Sequence, residues 1–188
     1  MDDLLRYAID EALKLGADYA EARYQKDLEE VILLKNGVPE ISARSIDEGI
    51  GVRVLIDGGL GFASTSELKR SSIRSIVRSA VSAARASTKL LKNRIKLAEG
   101  RLAQAKVEVK PRIRFDAVDL DAKIEFLKDI DGSVVEAGTR KGVKAASRFF
   151  ELKRWDMEKH LLTSDGADVY LKIPRVMFEY FITLSSPG

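Results

Sequence analysis

Residues 46–68 read IDEGIGVRVLIDGGLGFASTSEL and carry the strongest structural pattern in the chain. Val52, Val54 and Ile56 place a β-branched apolar side chain at every second position, which is the period of a strand with one buried face. The sequence Asp57-Gly58-Gly59 follows this strand, and glycine tolerates the positive φ that tight hairpin turns require. The pattern therefore predicts a β-hairpin.

The returning strand and a helix are predicted directly after this turn. Gly61–Ala63 forms the second arm of the hairpin. Ser64 and Glu67 have the spacing of a capping box, in which side chains satisfy the free amides at a helix start. The helix is expected to begin at once and to cover Glu67–Arg85, where apolar residues recur at helical spacing.

The same patterns predict the other elements. Two further amphipathic helices are expected at Asp3–Leu15 and Leu120–Ala137, and the second is predicted to start at Asp119 or Asp121. Lys26–Glu30 is interpreted as a polar turn, and Leu90–Ala105 keeps part of a helical pattern. Strands are predicted at Tyr19–Tyr24, Val31–Leu34, Val38–Arg44, Ala145–Leu152, Met157–Thr163 and Asp168–Leu184, the last with a break near Pro174.

Together these elements predict an α+β fold with a mostly antiparallel sheet covered by amphipathic helices. Asn36-Gly37 is predicted to be a hairpin turn. The sequence also suggests a duplicated helix-hairpin unit, because Ala22-Arg23-Tyr24 before Asn36-Gly37 is echoed by Ser147-Arg148-Phe149 before Asp165-Gly166. This echo divides the chain into sub-halves 1–86 and 116–188, joined by the basic segment 87–115.

Composition excludes several classes of protein. The chain has 188 residues, of which 45% are hydrophobic and 32% charged, as in an ordinary globular protein. It contains no cysteine, so disulfides and thiolate metal sites are excluded, which fits a cytoplasmic location. No apolar run approaches the roughly 18 residues of a membrane span, and no membrane association is predicted.

The net charge of +3 is unevenly distributed, because ten basic residues lie between Arg85 and Arg114. One interpretation is a face that binds nucleic acid through its phosphates. The other is a solvated helix and linker, which the lack of interleaved aromatic residues favours.

No catalytic or metal-binding constellation is recognisable. His160 is the single histidine of the chain, and on a predicted strand it is expected to be a half-exposed pairing residue. Zinc sites usually need several His, Cys or carboxylate ligands. Gly49, Gly51, Gly58, Gly59 and Gly61 do not lead from a strand into a helix, so turns and bulges are favoured over a phosphate cradle.

Gly49 and Gly51 offer a second possibility, in which their small size lets another backbone approach the strand. Arg53 beside them is a candidate for pairing with a carboxylate. In the alternative, which also stays open, the glycines have a purely structural role and only accommodate the twist of the sheet.

Residues 17–67 resemble the amino-terminal domain of the TldD/PmbA family, whose members are often labelled modulators of DNA gyrase. The Gly-Phe-Ala-Ser-Thr run favours a TldD-like member. The resemblance rests on Ala17–Arg23, Lys35-Asn36-Gly37, Gly49–Val54 and Asp57–Thr65, with Thr163–Gly166 similar to the end of that domain.

The resemblance implies a zinc-dependent peptidase that acts on unfolded or extended peptides, as a homo- or heterodimer with a TldD/PmbA-type subunit. The family's zinc site lies in its carboxy-terminal half, so this chain is expected to have no catalytic or metal-binding residues, no cofactor of its own and no activity alone. Family members are more than twice this length, and the chain is expected to be an amino-terminal fragment, a separately encoded half or a divergent member.

Within this reading the candidate substrate-binding residues are Gly49, Gly51, Arg53, Gly61 and Phe62, which would help to enclose a peptide. The alternative function is a nucleic-acid-binding or gyrase-modulating module that uses the basic segment 85–114.

Overall fold

A computed structural model describes residues 1–98 and 103–185. Its helices are α1 (Asp2–Lys14), α2 (Arg70–Thr88) and α3 (Leu120–Arg140), with a short 3₁₀ turn at Phe115–Ala117. Its strands are β1 (Tyr19–Lys35), β2 (Val38–Ile56), β3 (Gly59–Thr65), β4 (Gln104–Glu108), β5 (Lys144–Thr163) and β6 (Asp168–Ser185).

The strands form one sheet in the order β3-β2-β1-β5-β6-β4. β2 and β3 pair antiparallel from Ile50 opposite Thr65 to Ile56 opposite Gly59. β4 is the exception, because it pairs with the start of β6 in parallel. The predicted α+β fold with a mostly antiparallel sheet is confirmed, and in each half of the sequence a helix precedes two long strands.

Two compact units contribute to this sheet and are interleaved along the sequence. The first unit contains Met1–Asp27, Asp47–Glu108 and Met157–Ile173. The second contains Leu28–Ile46, Val109–Asp156 and the residues from Pro174 onward. Long strands such as β1 therefore supply residues to both units.

The core of the first unit lies between its part of the sheet and the helices α1 and α2. Val52 and Val54 point into this core and are fully buried, which confirms the predicted period of two. Gly61 permits close packing of α2, because a Cβ at this position would lie 1.9 Å from the carbonyl oxygen of Ala80. Gly59 has the same role, since its Cβ would lie 2.1 Å from Oγ1 of Thr88.

The second unit has a smaller core, in which Leu127 of α3 packs with Ile32, Leu34, Phe150 and Leu152. The predicted turn Asn36-Gly37 is confirmed, with φ of 49° and 81°.

A buried ion pair holds the base of this turn to α3. The guanidinium Nε of Arg148 donates to Oδ1 of Asp131 at 2.7 Å, where the side chain of Asp131 is buried and that of Arg148 is 14% exposed. The backbone amide of Arg148 donates to Oδ1 of Asn36 at 2.9 Å, while the amide of Asn36 donates to the carbonyl of Arg148 at 2.8 Å. Charge and backbone contacts thus fix this turn against β5.

Three local predictions are wrong. Lys26–Glu30 is not a turn but the middle of β1, where charged residues are kept in a strand by ion pairs to neighbours, such as Glu30 to Lys123 at 3.0 Å. The predicted break near Pro174 is absent, because β6 continues through it. Residues 91–98 of the expected Leu90–Ala105 helix are irregular, β4 begins at Gln104, and residues 99–102 lie outside the described part of the chain.

The predicted capping box is also wrong. Ser64 and Thr65 end β3, and α2 begins at Arg70 after an N-cap at Lys69 that makes no side-chain cap bond. Thr65 Oγ1 accepts instead from the amide of Glu67 at 3.1 Å, and Ser72 Oγ donates to the Glu67 carboxylate. By contrast, one of the two predicted starts of α3 is confirmed, because Asp119 accepts from the amide of Ala122 at 2.7 Å, while Asp121 lies in the first turn.

Candidate functional site

A groove of about 610 Å³ runs over β1, β2 and β3 in the first unit. Its walls include the three predicted residues Gly49, Gly51 and Phe62. The groove lies on the face of β2 that is turned away from Val52 and Val54, since side chains alternate along a strand. The structure therefore brings together three of the five candidate residues.

Gly51 and Phe62 form the centre of this groove. A Cβ at residue 51 would lie 3.0 Å from Cε2 of Phe62, so the aromatic ring occupies the space that a larger residue would need. The side chain of Phe62 is 57% exposed, which leaves most of its apolar surface available for contact.

Gly49 has a different role at the end of the groove. A Cβ there would lie 2.8 Å from the backbone carbonyl oxygen of Thr65, which cannot move without shifting β3. The absence of a side chain at Gly49 is therefore required by the strand pair itself, whereas the side chain that faces Gly51 is able to move.

The other two candidates lie outside the groove. Arg53 donates to the carboxylate of Glu21 on the neighbouring strand, which confirms that it pairs with a carboxylate. Gly61 faces α2 and serves helix packing. The strand register places Gly61 opposite Val54 on the buried face, whereas Arg53 lies opposite Phe62 on the open face and is bonded there to Glu21.

Charged residues at the rim of the groove were not predicted as part of a site. They are Arg23, Asp27, Asp47 and Glu48. The alternation of Tyr19, Glu21 and Arg23 against the buried Ala20 and Ala22 already places Arg23 on the open face. Asp47 and Glu48 had no such signal, because the strand was expected to start after them.

Two tyrosine hydroxyls donate to carboxylates in the strands that form the groove. Tyr24 donates to Oε1 of Glu48 at 2.5 Å, and burial together with this bond raises the pKa of Tyr24. Tyr19 donates to Oε2 of Glu21 at 3.2 Å, and burial followed by the Glu21 charge raises its pKa to about 12. Both hydroxyls therefore stay protonated as hydrogen-bond donors at neutral pH, and neither is poised as a base.

His160 is more buried than expected, with 8% of its surface exposed. Nδ1 lies 2.9 Å from Oδ1 of Asp2, and Nε2 lies 2.8 Å from Oδ1 of Asp168. The ring of Tyr170 packs edge-on against it at 5.8 Å. The histidine thus ties α1 to β6.

The described residues do not fit a zinc site. Among residues 1–98 and 103–185, no three His, Asp or Glu side chains gather closely enough to hold a metal ion. No catalytic step is therefore assigned to these residues. The same residues contain no helix with the length and apolar character needed to cross a membrane.

Several cations of the basic segment 85–114 are engaged within the chain. Arg85 donates to the carbonyl of Leu15 at 2.7 Å. Arg94 pairs with Asp57 at 3.1 Å, and Arg114 pairs with Asp116 at 2.7 Å. Arg101 lies outside the described residues. The nucleic-acid-binding alternative therefore stays a prediction.

Comparison with known protein families identifies matches in both halves of the chain. The model of the PmbA/TldA metallopeptidase domain 1 matches residues 20–84. The model of the PmbA/TldA metallopeptidase central domain matches residues 113–186. A search among curated protein sequences finds no significant match.

Solved structures with the same fold include two proteins described as candidate modulators of DNA gyrase. The one from Bacteroides thetaiotaomicron has a TM-score of 0.78 at 20% identity and is matched over 100% of this chain and 42% of its own. The one from Thermotoga maritima has a TM-score of 0.65 at 15% identity, over 99% of this chain and 44% of its own.

TldE from Thermococcus kodakarensis is a third similar structure. Its TM-score is 0.61 at 15% identity, with 97% of this chain and 42% of that chain covered. At such identities the likeness shows the fold alone. The chain spans less than half the length of each of these three proteins.

Proposed function

Because this chain belongs to the PmbA/TldD metallopeptidase family, we propose that it is the amino-terminal, non-catalytic half of a zinc-dependent peptidase subunit. In this role it helps to enclose an extended or unfolded peptide. In this proposal the zinc ion and its ligands belong to a part of the subunit outside these 188 residues.

The proposal rests on the groove over β1, β2 and β3, which reaches the edge strand β3 at Phe62 and Ser64. β3 lies at one end of the sheet order, so among the described residues no further strand pairs with its outer side. Extended peptides commonly bind to such an edge through main-chain hydrogen bonds, and the peptide's sequence then has little influence. An edge of this kind suits a subunit that accepts unfolded chains.

Gly51 and Phe62 give the groove its shape. The missing side chain at residue 51 lets the ring of Phe62 lie against the strand, and the exposed surface of this ring provides an apolar wall for whichever side chain the peptide presents. Ser64 and Ser66 add hydroxyls at one end of the groove. Hydroxyls donate and accept hydrogen bonds, so they are able to bind both the N–H and the C=O groups of a peptide backbone.

The proposal includes a second subunit. The chain pairs with a TldD/PmbA-type subunit as a homo- or heterodimer. This pairing takes place in a reducing compartment such as the cytoplasm, which suits a chain without cysteine.

Peptide binding is tested with an unstructured, fluorescently labelled peptide and the 188-residue chain, by fluorescence anisotropy. Phe62→Ala removes the apolar wall and Gly51→Val displaces it by pushing the ring of Phe62 away from the strand, so each variant is expected to weaken binding about tenfold, equivalent to about 1.4 kcal/mol. Phe126→Ala is the matched control, because Phe126 on α3 is 54% exposed and lies in the second unit. Equal affinities for all variants would contradict the proposal.

A further inference from the structure

The outer part of β6, residues 173–185, is an edge strand with an unusually apolar surface. The parallel pairing with β4 ends at Lys172, and beyond it no strand of the described chain pairs with this side of β6. Val176, Tyr180 and Phe181 are 61%, 65% and 67% exposed. A long apolar edge offers its free backbone groups to another strand.

The inner side of this segment is anchored in the second unit. The ring of Phe178 stacks on the buried Phe150 with centroids 6.3 Å apart, and Ile182 packs against the same core. The guanidinium of Arg175 lies over the ring of Trp155 at 5.2 Å. The edge is therefore held in an extended form before any partner binds.

The charges on this edge indicate which strand would fit. Arg175 and Glu179 stand two residues to either side of Met177. In an antiparallel pair, directly opposite residues share a face of the sheet. If Met177 lies opposite the same residue of a second copy, Arg175 lies opposite Glu179 on each side of the centre, and each Val176 lies opposite a Phe178.

Neighbouring registers lack this complementarity. A pair centred on Glu179 sets two carboxylates against each other, and a pair centred on Phe178 sets Arg175 opposite Phe181. Opposite charges across a strand pair are stabilising and like charges are destabilising. The register centred on Met177 is the one in which both charged residues find an opposite charge while Val176 and Phe178 remain in apolar contact.

We propose that β6 pairs antiparallel with β6 of a second copy of this chain, with the twofold axis at Met177. Such a contact is isologous, because each copy contributes the same surface. It deepens the subunit pairing that forms part of the proposed function, and it does not depend on peptide binding. The competing explanation is that Arg175, Glu179 and Pro174 keep the edge unpaired, as charges and prolines do on many edge strands.

Charge reversal tests the pairing and its register. The mass of the 188-residue chain in solution is measured by sedimentation, and the parent chain is expected to be a dimer. In a dimer of Arg175→Glu, the new carboxylate of each copy lies opposite Glu179 of the other copy. In a dimer of Glu179→Arg, the new guanidinium of each copy lies opposite Arg175 of the other copy. Each variant is expected to raise the dimer dissociation constant at least about tenfold.

Mixing the two variants supplies the decisive control. Arg175→Glu in one copy faces Glu179→Arg in the other, so both charge pairs are restored, and native mass spectrometry is expected to detect the mixed dimer. Its formation also shows that both variants are folded. A monomeric parent, a dimer insensitive to either reversal, or a mixture that does not associate would each overturn the proposal, whatever the result of the peptide-binding assay.

Discussion

The ring of Phe62 covers the Cα of Gly51, so that a Cβ at residue 51 would lie 3.0 Å from the ring. This contact separates two kinds of glycine in the same hairpin. At Gly51 the neighbour is the end of a side chain that is able to rotate. At Gly61 the neighbour is the backbone of α2, and the carbonyl of Ala80 would lie 1.9 Å from an added Cβ.

Gly61→Ala is therefore expected to destabilise the protein strongly, because the helix must move away from β3. The expected loss is at least about 1–3 kcal/mol of unfolding free energy, the usual range for overpacking. Gly51→Ala is the matched control, since Phe62 is able to yield, and its expected change is below about 0.5 kcal/mol. Urea denaturation measures both. Equal stability of the two variants would show that the glycines are not distinguished by their neighbours.

The buried ion pair between Arg148 and Asp131 is expected to matter for stability. Asp131→Asn keeps the shape of the side chain but leaves Arg148 without a counter-charge, and the expected loss is about 3 kcal/mol. Glu136→Gln on the same helix is the control, because Glu136 and Arg140 form a highly exposed pair whose loss is expected to cost less than about 1 kcal/mol. Thermal and urea unfolding measure both variants. A similar loss of unfolding free energy in the two would refute the prediction that the buried pair contributes more than the exposed one.

Tyr170 is expected to make stability depend on alkaline pH. Burial, and next the negative charge of Glu158, raise its pKa from 10.0 to about 12. Since the folded pKa lies above the unfolded one, this stabilisation is complete below pH 10 and is lost as the pH rises toward about 12. The parent chain should therefore lose stability relative to Tyr170→Phe over that interval.

Urea denaturation at a series of pH values measures this difference. Glu158→Gln provides a second readout, because removing the carboxylate is expected to lower the pKa of Tyr170 in an ultraviolet titration. A parent and a Tyr170→Phe variant with parallel pH profiles would contradict the assignment.

The sequence predicts those parts of the fold that depend on local periodicity. The alternation of Val52, Val54 and Ile56, the Asn36-Gly37 turn and the Asp119 cap all have local physical causes, and the structure confirms them. Lys26–Glu30 could not be assigned in this way. Its charges are tolerated in β1 only because distant residues such as Lys123 pair with them.

The candidate site shows the same division. Alternation along the hairpin places Gly49, Gly51 and Phe62 on one face of the sheet and Gly61 on the other, and this alternation is readable from the sequence. The close approach of α2 to Gly61 is not readable in this way, because it depends on residues distant along the chain. The rim residues Asp47 and Glu48 become part of the site because β2 extends far beyond the apolar stretch that signals it.

In the proposed function an extended peptide lies in the groove next to Phe62, and site-specific photo-crosslinking detects a peptide at that position. A photoreactive benzoylphenylalanine replaces Phe62 in one preparation and the equally exposed Phe126 in another, and each is irradiated with the same labelled, unstructured peptide. The proposed function predicts a covalent adduct at residue 62 that excess unlabelled peptide suppresses, and little adduct at residue 126. Equal labelling at both positions, or none at residue 62, would contradict it.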